Sequence, residues 1–120
     1  MTQEGLTRKL TAILSADAEG YSRLMGDDED STIRTLTSYI ETMRTCIQDH
    51  RGRVVDAPGD NLLAEFASVV DAVSCAAAVQ KRLFELNAKL PEKRKMQFRI
   101  GINLGDVVAE GDRIFGDGVN

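Results

Sequence analysis

Two aspartates carry the first chemical signal in this chain. Asp17 closes a run of small apolar residues in "TAILSADAEGYSRLM", and Asp60 sits at the tip of "APGDNLL". Unpaired carboxylates brought close together repel, and one of them must take up a proton. A pair of Mg²⁺ or Mn²⁺ ions removes that penalty, because hard cations take carboxylate oxygens and keep open positions for phosphate. Gly20, Tyr21 and Ser22 follow Asp17, and successive backbone N–H groups at the start of a helical turn can be aimed at a triphosphate. Each acid alone reads as a turn-former or a cap. Their combination with "GYSRLM" favours the ligand reading.

The elements that must position these residues follow from periodicity. Leu10 to Ala16 reads as a strand. The acidic run "GDDEDS" leads into a helix with Ile33, Leu36, Ile40, Met43 and Ile47 at helical spacing and Tyr39 beside them. Asp27 to Asp30 suit its N-terminus, and Gly52 suits the position just past its last turn. "RVVDAPGDNLLAEF" predicts a hairpin around a Pro-Gly turn. A second helix starts at Ser68, with Val69, Val70, Val73, Ala76, Ala77, Leu83 and Leu86 as its apolar face. "LPEKRK" reads as a solvated loop. "MQFRIGINLG" alternates Met96, Phe98, Ile100 and Ile102 as a strand, and "DVVAEGDRIFGDGVN" as a hairpin turning near Gly111. The expected architecture is one α+β domain over residues 1–120, with helices on one face of a mainly antiparallel, ferredoxin-like sheet. In such a sheet the first strand lies beside the hairpin, which would bring Asp17 and Asp60 together. Ending on a strand, with nothing to cover it, implies that the C-terminal part of the domain is missing.

Composition narrows the function classes. The net charge of −4, with no basic stripe, argues against nucleic-acid binding. No apolar run approaches membrane-spanning length, so no membrane partner and a cytoplasmic location are expected. Cys46 and Cys75 lack a C-x-x-C spacing and read as buried thiols. His50, the only histidine, reads as a favourable charge at a helix end. The acidic run at Asp27 to Asp30 lacks the glycine and terminal glutamate of an EF-hand.

Four stretches in order, "AILSADAEGYSRLMGDDE", "GDNLLAEFASVVDAVSCA", "FRIGINLGDVV" and "IFGDGVN", resemble the catalytic domain of bacterial class III adenylate/guanylate cyclases. The resemblance implies a nucleotidyl cyclase fold that pairs head-to-tail as a homodimer, with sites between subunits. ATP or GTP would be converted to the 3′,5′-cyclic nucleotide and pyrophosphate in signalling. It also implies that Asp17 and Asp60, with the backbone carbonyl of Ala18, hold two Mg²⁺ or Mn²⁺ ions. Asn120 matches the asparagine that orients the ribose. The family carries an arginine four residues further on, past the end of this chain, so the chain is expected to be incomplete for activity.

One departure bears on the substrate. Where the family's adenine-selecting lysine and aspartate stand, this chain has Asp56 and Arg113. An aspartate facing adenine N1 opposes two acceptors, at a cost of roughly 1–3 kcal/mol. Guanine presents N1–H and N2 amine donors to Asp56 and its O6 acceptor to Arg113, so the exchanged pair suits guanine. Alternatively the two side chains pair and close the pocket, leaving a catalytically impaired module that dimerises and binds nucleotide. A palm-type polymerase or a diguanylate cyclase shares the sheet and paired acids, but a GG[DE]EF-like hairpin is absent.

Overall fold

The computed structural model describes residues 7–110 and 113–115, with side chains described from 10 to 105. The elements run β1 (Thr7–Ala18), α1 (Tyr21–Asp27), α2 (Glu29–Asp49), β2 (Arg53–Asp56), β3 (Asn61–Phe66), α3 (Val69–Asn87), a 3-10 turn (Glu92–Arg94), β4 (Phe98–Glu110) and β5 (Arg113–Phe115). The strands form one antiparallel sheet in the order β2-β3-β1-β4-β5. Without β5 this is the ferredoxin-like order expected from the sequence.

β1 is the central strand, and its alternation divides the sheet. Ala12, Leu14, Ala16 and Ala18 join the core under the helices, while Ser15 and Asp17 lie on the opposite face. The alanines are small, which lets α3 approach closely. That helix buries Ala72, Cys75, Val79 and Leu83. The expected apolar face is therefore rotated. Val69, Val70 and Val73 are 41, 72 and 53% exposed, Ala77 is exposed, and Ala76 and Leu86 only flank the core. An apolar arc this wide does not say which of its stripes is smallest, and close helix–sheet approach selects the smallest. On α2 the stripe is Thr32, Leu36, Tyr39, Met43, Cys46 and Ile47, and Ile33 lies outside it.

Polar side chains do part of the joining. Asn87, buried at the end of α3, accepts from Tyr39 Oη at 2.6 Å and the Met96 N–H at 3.0 Å, and donates to the Met96 carbonyl. "LPEKRK" is not simply a solvated loop. Arg94 donates to the Leu24 carbonyl and to Thr32 Oγ1, clamping the junction of α1 and α2. That junction has its own cap, Asp28, which accepts from the Ser31 N–H. β4 is one continuous strand paired with β1 from Phe98 to Ala109, longer than the short strand expected. It turns into β5 with Glu110 opposite Arg113, so the expected hairpin is present. Gly111 itself lies outside the described residues.

Candidate active site

β1 ends where three strands meet, and Asp17 stands at that end. Across β3 its register partner is Asn61, and across β4 it is Arg99. The turn carrying Asp60 is tied down at both ends. Asn61 N–H donates to the Pro58 carbonyl at 3.1 Å, and Ala18 N–H donates to the Asp60 carbonyl at 3.2 Å. Gly59 takes the left-handed φ of 59° that this turn requires. The adjacency expected for Asp17, Ala18 and Asp60 is thus present in the backbone.

Asp56 belongs to the same neighbourhood. A bulge between Val54 and Asp56 shifts the β2–β3 register, and the Asp56 carboxylate accepts from the Ala57 N–H at 2.9 Å. A groove of about 290 Å³ is lined by Ser15, Asp17, Asp56, Pro58, Asn61 and Leu63, among others. A larger groove of about 550 Å³ between α2 and α3 contains none of the expected site residues. Arg113 falls in β5, and its side chain is outside the described part. Asn120 also lies outside the described residues.

Gly20 precedes α1 with φ 63° and no side-chain cap. Leu24 N–H is the one that closes the first helical turn, onto the Gly20 carbonyl at 3.0 Å. The N–H groups of Tyr21 and Ser22 come before it, among those a helix leaves without an internal acceptor. The Tyr21 ring packs against the core and Ser22 is exposed, so Tyr21 has its backbone to offer a ligand.

Sequence reasoning missed Arg99. Its guanidinium donates to and ion-pairs with the Asp17 carboxylate, and that hydrogen bond, aided by the charge of Asp17, raises the arginine's pKa. The signal was available in β-periodicity. The alternation that buries Phe98 sends Arg99 to the opposite face, the face that carries Asp17. This guanidinium is a stand-in for what the donor set can hold. Asp17 already engages a cation, and the carboxylates and the Ala18 carbonyl are hard oxygen donors suited to Mg²⁺ or Mn²⁺. Among the described residues no three His, Cys, Asp or Glu side chains converge. A metal here would complete its shell with backbone carbonyls and substrate oxygens.

Residues 7–120 match the family model for the adenylate and guanylate cyclase catalytic domain. The chain belongs to this cyclase family. "Putative adenylate cyclase 3" of Rhizobium meliloti is 48% identical over the whole of this chain, which spans 21% of that protein's length. The crystal structure of an adenylate/guanylate cyclase/hydrolase from Silicibacter pomeroyi superposes with TM-score 0.87 and 40% identity, covering 96% of this chain and 67% of that one. The guanylyl cyclase Cya2 superposes with TM-score 0.81 and 26% identity, covering 97% and 68%. The cyclase fold expected from the four sequence stretches is therefore borne out. Among the described residues, no helix is long and apolar enough to cross a membrane.

Proposed function

We propose that this domain is a cytoplasmic nucleotidyl cyclase, converting a purine nucleoside triphosphate to its 3′,5′-cyclic nucleotide and pyrophosphate at sites shared by a head-to-tail homodimer. The observation that carries the reading is the junction of β1 with the β2–β3 turn, where Asp17 faces Asn61 and Ala18 N–H holds the Asp60 carbonyl. Asp17, Asp60 and the Ala18 carbonyl would hold two Mg²⁺ or Mn²⁺ ions. When bound, the ions supply neutralisation of phosphate charge and a lowered pKa for the 3′-hydroxyl. The N–H groups of Gly20, Tyr21 and Ser22 orient the triphosphate. Asn120 orients the ribose, by its match to the family's asparagine.

Asp56 and Arg113 read the base edge, and their charges favour GTP over ATP. The R. meliloti relative carries an adenylate cyclase name, so the two nucleotides must be compared directly. The test is incubation of the longest natural form of the chain with Mn²⁺ and either nucleotide, with cyclic product read by mass spectrometry. Cyclic GMP in excess is expected, reduced at least about 100-fold in Asp17→Ala. The double variant Asp56→Lys/Arg113→Asp should gain cyclic AMP formation. Cyclic AMP in excess from the wild type would keep the cyclase and sink the base-edge reading.

The same charge exchange, with Asp56 held by its own turn, also supports a second reading as an impaired nucleotide-binding and dimerisation module. Metal-dependent nucleotide binding without product would favour it.

A further inference from the structure

We propose that Arg99 sets the metal affinity of this site by acting as an internal counter-ion on Asp17, so that a divalent cation must displace a guanidinium to reach that carboxylate. The inference rests on the reading of Asp17 as a metal ligand. Arg99 is positioned by the sheet, because β4 pairs with β1 along nearly its whole length and sets Arg99 directly opposite Asp17. Its guanidinium bonds the Asp17 carboxylate through one N–H.

The contact adds little to the fold. The backbone ladder already joins the two strands, and side-chain exposures of 65 and 37% place the pair in high dielectric, where ion pairs contribute weakly. Its consequence falls on the carboxylate. With Arg99 in place, one Asp17 oxygen carries a hydrogen bond, and a positive charge stands beside the position a metal would take. Both effects oppose cation binding, and neither depends on nucleotide.

Mn²⁺ alone, titrated into the full natural chain and followed by the electron paramagnetic resonance of the free ion, tests this. Arg99→Gln should bind Mn²⁺ about three- to fivefold more tightly than the wild type, the scale of an exposed ion pair. Arg99→Lys keeps the charge and should remain within about twofold of the wild type. Arg99→Met is measured alongside, so that misfolding of one neutral variant leaves the other to decide. Equal or weaker binding by the folded neutral variants overturns the proposal and leaves the metal reading standing. Unchanged Mn²⁺ binding in Asp17→Asn overturns the metal reading, and this inference with it.

Discussion

Cys75 lies fully buried on α3, and burial, with Cys46 nearby, pushes its thiol from an ordinary value of 9.0 up to about 12. The folded state therefore keeps this proton over a range in which the unfolded chain has lost it. Stability linked to the protonated thiol is whole below pH 9 and is lost as pH rises toward 12. Urea unfolding across that range should show a fall of up to about 1.4 kcal/mol per pH unit from this group. The corresponding part of the slope should vanish in Cys75→Ala. The thiol should also resist alkylation in the native protein at pH 8 and react once unfolded, because only the thiolate is nucleophilic.

Among the elements, the joint between α2 and β2 is the most tightly specified. Gly52 N–H closes the helix end onto the Ile47 carbonyl at 2.8 Å, but the left-handed residue is Arg51, with φ 61°. Glycine is therefore one place later than the usual cap rule puts it, and the reason is packing. A Cβ at Gly52 would come within 2.4 Å of the Phe66 ring, and Phe66 is fully buried at the end of β3. Arg51 tolerates its position while its guanidinium holds Asp71 of α3 through two bonds of 2.9 and 3.1 Å. Gly52→Ala should cost about 2–3 kcal/mol by forcing the ring or the strand to shift. Chemical denaturation would read this directly, and a loss below about 0.5 kcal/mol would mean that the joint accommodates the methyl.

At the scale of the molecule, the helices cover one face of the sheet, and the opposite face carries Ser15, Asp17, Asn61 and Arg99 near one end. A face this polar is suited to a catalytic groove. If two subunits complete each site, with the metal-binding acids from one and Asn120 from the other, inactive variants should complement. Equimolar Asp17→Asn and Asn120→Ala chains, mixed in their longest natural form, should recover about a quarter of wild-type cyclase activity, because half the dimers then contain one intact site. Each variant alone should remain inactive. Absence of recovery from dimers shown to exchange subunits would mean that one chain supplies the whole site.

Residue type and order were enough to find β1, the hairpin, both long helices and the two aspartates, because period-2 and period-3.6 patterns and turn residues are local properties. The capping of α3 by Ser68 was legible for the same reason. The partners were not. Nothing local marks Arg99 as the neighbour of Asp17, Arg94 as the clamp on Leu24 and Thr32, or Asn87 as the buried link to Tyr39 and Met96. Each of these depends on register or helix rotation, which long-range packing chooses. The face of α3 makes the same point: the sequence offered a broad apolar arc, and the small residues of β1 decided which stripe could approach the sheet.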